Sequence, residues 1–120
     1  MSRSSTAPMQ ITTAQHAHVT VVAVEGSIDA LTADTLTAHL REELRAGNTR
    51  MVADFGGVDY TSSAGLRVLL TALKDARQGG GDLRLAAVQA PVLRVLELSG
   101  FTSILKSYPD VPSAVASFPA

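Results

Sequence analysis

The sequence predicts a single α/β domain built on a mixed, mainly parallel sheet of four to five strands with about four helices. Short β-branched apolar runs alternate with segments whose leucines recur every three or four residues, the pattern of parallel strands joined by right-handed helical crossovers. Two extended stretches near the start are separated by only a few polar residues, which adds an antiparallel edge. The 120 residues are 46% hydrophobic and 18% charged with no cysteine. That is enough for one core without disulfides and too little for two ordinary domains.

Residues 1–8 carry one positive charge with no apolar stretch behind it, so they read as a short flexible tail rather than a secretory signal. The domain is expected over 9–120. Met9 to Thr13 is a candidate first strand, and the polar stretch Ala14 to His18 suits a hairpin loop. Val19 to Val24 is rich in β-branched residues and stops at Gly26, which marks a strand. Leu36, Leu40 and Leu44, led by Ala33 and opposed by Arg41, Glu42, Glu43 and Arg45, predict an amphipathic helix from about Thr32 to Ala46 with Gly47 as its stop. Met51 to Phe55 reads as a buried strand broken by Gly56-Gly57. Leu66, Leu69, Leu70 and Leu73 predict a second helix that starts at Ser62 or Ser63 and ends at Gly79-Gly80-Gly81. Leu83, Leu85 and Ala87 alternate on a further strand. Pro91 opens a third helix running to Leu98, and Gly100 closes it. Ile104-Leu105 reads as a last short strand, and Asp110 as the cap of a terminal helix through Val115 and Phe118. The helices are expected mainly on one side of the sheet.

Composition narrows the function. A net charge of -1 lacks the basic excess of a phosphate-backbone binder, so no direct nucleic-acid contact is expected. No apolar run approaches the roughly 18 residues of a membrane span, and the expected compartment is the cytoplasm. The lack of cysteine removes thiolate metal sites and cysteine nucleophiles. His16 and His18 form a pair without a third ligand, and they read as loop residues rather than a metal site. No phosphate-cradling glycine motif follows a strand, so no cofactor is expected.

The segment Asp54 to Arg67 carries the most information. A buried strand enters a Gly-Gly turn, passes an aromatic residue and reaches hydroxyl residues at a helix start. Helix N-termini present unpaired N–H groups and a partial positive charge, so serine serves there as a cap and a phosphate is well received. Ser62 and Ser63 therefore read either as caps or as a modifiable site. Asp54 and Asp59 flank the turn and suit it, because aspartate bonds readily to nearby backbone. Asp29 reads as a turn residue or helix cap, and Arg67, one helical turn beyond Ser63, as an exposed surface cation or as a partner for a phosphate there.

Two catalytic readings fail. Thr61-Ser62-Ser63-Ala64-Gly65 resembles a nucleophile elbow, but its first glycine is missing and all three histidines precede Ser63. An aspartyl-phosphate receiver would use Asp54 and Lys106, but it needs a pair of acids after the first parallel strand, where only Glu25 stands. No catalytic residue is expected.

Val24 to Ala33, together with Asp54 to Leu70 and the later Val95 to Phe101, resembles the STAS domain of bacterial anti-sigma factor antagonists over nearly the whole chain. The resemblance implies a non-enzymatic protein that binds an anti-sigma factor, often itself a serine kinase, and so releases a sigma factor. Phosphorylation of a serine at the start of the second helix ends the interaction, and a serine phosphatase resets it. Aligned on Gly65-Leu66, the family motif Asp-Ser-Ser-Gly-Leu puts the modified serine at Ser63, with Ser62 in place of the aspartate and Ala64 in place of the second serine. Ser62 is the alternative modified residue, with Thr61 beside it a further one. Asp29 matches the family's acidic loop residue. The implied partner surface holds Asp29, Asp59, Thr61, Ser62, Ser63 and Arg67. The competing implication is a STAS module in a transport or stress-signalling assembly, which binds partners without phosphorylation.

Overall fold

The structure is a computed structural model that describes residues 9–119. The tail expected over 1–8 lies outside the described residues. Strand β1 (Gln10–His16) and strand β2 (Val19–Ile28) form an antiparallel hairpin with His16 opposite Val19. That register leaves only Ala17 and His18 to reverse the chain, so β1 takes in most of the expected loop. Ala17 adopts the left-handed φ of 58° that tight hairpin turns demand.

Helix α1 (Ala30–Arg45), strand β3 (Arg50–Thr61), helix α2 (Ser63–Gln78), strand β4 (Asp82–Ala86) and helix α3 (Ala90–Leu98) follow. A 3-10 turn at Phe101–Ser103, strand β5 (Ser107–Tyr108) and helix α4 (Val111–Ala116) complete the chain. The sheet order is β1-β2-β3-β4-β5, with every pairing after the hairpin parallel.

Two expected strand ends are not ends. β2 continues through Gly26, whose φ of 105° absorbs a shift in its ladder with β3. β3 continues through Gly56-Gly57, where the register moves from Ala23 opposite Asp54 to Glu25 opposite Gly57. The glycines bend the two strands together instead of stopping them. The last strand also differs from expectation. Leu105 is buried in the core, while Ile104 follows the 3-10 turn and stays 41% exposed, so the pair forms no strand and only Leu105 packs. β5 forms just after it, held by Lys106 and Tyr108 carbonyls that accept from the N–H groups of Leu85 and Ala87 at 2.8 and 3.0 Å.

Alternation along the strands divides the core. Val22, Val24, Met51, Ala53, Phe55, Leu83 and Leu85 face Leu36 and Leu40 of α1, Leu66, Leu69 and Leu73 of α2, and Val92 and Leu96 of α3. Val19, Val21, Val52 and Ala86 point the other way and are covered by Ala114 and Phe118. Among the described residues, three helices thus share one face and the terminal helix covers the other.

A polar tie holds that terminal helix. Asp82 accepts from Arg77 Nε and Arg84 Nε, each at 3.0 Å. Arg84 also donates to the Ser117 carbonyl at 2.7 Å and lies 4.2 Å from the centre of the Phe118 ring. Partial burial pushes the Asp82 carboxyl up, but hydrogen bonds from Arg84 and Arg77 outweigh it and hold the group below its ordinary value. A folded-state value below the unfolded one adds stability that is present above the unfolded value and lost as pH falls through the folded one. Thermal melts should therefore decline below about pH 4. Asp82→Asn should melt lower at neutral pH and show a shallower acid decline. An acid slope equal to that of the wild type would contradict this role for Asp82.

Candidate functional site

The long β2 and β3 end at the same height, with Ser27 opposite Tyr60 and Ile28 opposite Thr61. The Ser62 N–H donates to the Ile28 carbonyl at 2.8 Å, which locks the two exits together. α1 and α2 therefore start side by side at the C-terminal edge of the parallel strands, where α/β sheets gather their functional loops.

Each start is capped differently. Asp29 Oδ1 accepts from the N–H groups of Leu31 and Thr32, both at 2.9 Å, and Thr32 Oγ1 accepts the Asp29 N–H at 2.9 Å. This capping box starts α1 two residues before the expected Thr32. The backbone N–H of Thr32, together with its hydroxyl and the Leu31 N–H, outweighs desolvation and holds the exposed Asp29 carboxyl below its ordinary value. Asp29 is thus ionised at neutral pH.

At α2 the two serines divide the work. Ser62 is the N-cap, half-buried, with Oγ accepting from the Ala64 N–H at 3.2 Å. Ser63 is the first helical residue, exposed, and its hydroxyl makes no hydrogen bond among the described residues. Thr61 is 4% exposed and its Oγ1 donates to the Ser62 carbonyl at 3.2 Å, so its hydroxyl lies under the surface. Gly65 explains that burial. A Cβ there would stand 2.1 Å from Thr61 Oγ1 and 2.8 Å from Ile28 Cγ2. The absence of a side chain lets the first turn of α2 press against both strand ends and fixes how far Ser63 projects.

Around Ser63, the Ser27 hydroxyl donates to Asp59 Oδ1 at 3.0 Å, which ties the β3 acid to the end of β2. Two apolar side chains stand exposed on this edge, Leu31 at 85% and Tyr60 at 53%. Sequence reasoning passed over both as site residues. Leu31 falls outside the Ala33–Leu36–Leu40 stripe, so its period alone assigns it no core partner. Arg67 is exposed one helical turn beyond Ser63. It borders a cleft of about 370 Å³ between α1 and α2, with Ala33, Asp34, Thr37, Arg41 and Thr71.

The other expected candidates lie apart. Asp54 Oδ1 accepts from the Gly56 N–H at 3.0 Å and braces the strand bend. His16 ends β1, His18 sits in the hairpin turn, and the His39 ring bonds to Thr13 Oγ1 at 2.6 Å. What the α1–α2 edge offers chemically is recognition: two carboxylates, a cation, two apolar side chains and an exposed hydroxyl, on backbone held rigid by caps.

The STAS domain family profile matches residues 10–114. BtrV of Bordetella bronchiseptica, described as a candidate anti-sigma factor antagonist, is 38% identical over 98 residues, 82% of this chain and 84% of its own length. An anti-sigma factor antagonist from Mycobacterium paratuberculosis has a TM-score of 0.84 to this structure at 24% identity, covering 91% of this chain and 92% of that one. The Bacillus cell fate determinant SpoIIAA in its phosphorylated form has a TM-score of 0.70 at 15% identity, covering 89% of this chain and 97% of that one. At these identities the two structures establish a shared fold.

Proposed function

This chain belongs to the STAS domain family, and from that premise we propose that it is an anti-sigma factor antagonist whose binding is switched off by phosphorylation of Ser63. It binds an anti-sigma factor that also acts as its serine kinase, frees a sigma factor, and is reset by a serine phosphatase. It works in the cytoplasm as a binding protein, without catalysis or a cofactor. The observation that carries this reading is the division between the two serines: Ser62 is spent on capping α2, while Ser63 stands exposed with a free hydroxyl among the described residues. Asp29, Asp59 and Arg67 supply charge around it, and Leu31 and Tyr60 supply apolar contact. Ser62 and the buried Thr61 contribute by holding the backbone under the surface.

Residues that are exposed in the free protein and buried against a partner affect binding more than folding. Leu31→Ala and Tyr60→Ala should each leave the melting temperature nearly unchanged and weaken anti-sigma factor binding roughly tenfold or more. Full affinity in both variants would put the interface elsewhere.

Cross-saturation NMR with the cognate anti-sigma factor tests the surface as a whole. The expected footprint covers Asp29, Leu31, Asp59 to Ser63 and Arg67. A footprint confined to α4 would count against it. The non-switching reading draws support from Ser62, which stands where the resembling motif has aspartate. It predicts the same footprint with no response to phosphorylation.

A further inference from the structure

Resting on the reading of Ser63 as the modified residue, we propose that Arg67 is the intramolecular clamp of the phosphoserine, so that modification both adds a charge to the partner surface and withdraws a cation from it. Ser63 and Arg67 are four residues apart on α2, both exposed. Residues at that spacing are neighbours on a helix surface, and an acid N-terminal to a base is the favourable order. Among the described residues Arg67 forms no ion pair, in contrast to Arg77 and Arg84, which are both engaged with Asp82. It stands at the border of the α1–α2 cleft, which Ala64 also lines. Ser62 and Ala64, the immediate neighbours of Ser63, carry no charge. Arg67 is thus the only charged side chain from Ser62 to Leu73 along α2.

A phosphoserine carries about -1.5 to -2 charge with a second pKa near 6, and guanidinium meets phosphate oxygens with paired hydrogen bonds. In the unmodified protein Arg67 is available to a carboxylate of the partner. In the modified protein it is held by its own helix. The two states of one hydroxyl therefore change two positions of the interface.

The test uses the full chain with phosphoserine installed at position 63 by genetic encoding, so that it needs neither kinase nor partner. A phosphorus NMR titration should give a second phosphate pKa about 0.2–0.4 units lower in the wild type than in Arg67→Gln, as expected of a direct cation contact at a helix surface. Arg41→Gln, across the cleft, serves as the control and should leave the value at that of the wild type. Equal values in wild type and Arg67→Gln would overturn the clamp. So would an equal rise in Arg41→Gln, which would mean that the phosphate senses the general field of the cleft. A clamp established in this way would stand even if no kinase modified Ser63, and the switch would stand even if the phosphate were unclamped.

Discussion

Phosphate on Ser63 is expected to lower affinity for the anti-sigma factor about 30-fold or more while leaving the fold intact. The two halves of this expectation come from the same position. Ser63 opens α2, where the incoming charge meets unpaired N–H groups and the positive end of the helix dipole. Far-UV spectra and the melting temperature should therefore change little. Against a bound partner the same charge must lose its water beside the ionised Asp29 and the nearby Asp59. A buried charge change of that kind costs roughly 2–5 kcal/mol, which sets the size of the loss. Ser63→Ala should bind as the unmodified protein does. Ser63→Asp should fall between the two, because aspartate carries less charge than a phosphate. Isothermal titration of the four forms against the anti-sigma factor measures the series. Equal affinity across it would favour a module that does not switch.

Phe55→Ala should be the most damaging single truncation to the fold. Phe55 is 1% exposed in the middle of the sheet, within the cluster that joins β3 to α1, α2 and α3. Removing a buried aromatic ring costs about 3–5 kcal/mol, because the neighbours only partly refill the space. For a domain of this size that corresponds to a fall in melting temperature of about 12 °C or more. Calorimetry on the variant reads it directly. A fall of only a few degrees would mean that the α1 and α2 layer relaxes into the space more freely than its packing implies.

The architecture was legible because its signals are local and repeated. The leucine spacing in α1 and α2 and the β-branched run in β2 each point to one element type, and the element order follows from their succession. The errors fall where a residue had two physical uses. Gly26 and Gly56-Gly57 signal a break in an isolated strand, yet here they absorb register shifts within a ladder, which depends on a partner strand far away in sequence. Ile104-Leu105 has the apolarity of a strand, but Leu105 spends it on the core. Asp29 was readable as a cap, but its return contact from Thr32 moved the start of α1 to Ala30. Among the candidate site residues, sequence could bring Ser62 and Ser63 to a helix start without dividing their roles. Capping geometry divides them. The closeness of Asp29 to Ser63 depends on Ile28 lying opposite Thr61, a long-range pairing that periodicity does not encode. Leu31 and Tyr60 were missed because exposure is a property of the assembled surface.

Incubation with the cognate kinase and ATP, followed by mass-spectrometric mapping of the modified residue, tests the central claim most directly. The account predicts a single phosphate on Ser63, with none on the capping Ser62 or the buried Thr61, and loss of the modification in Ser63→Ala. A phosphate on Ser62 in the wild type, or a chain left unmodified by a kinase that binds it, would contradict the account.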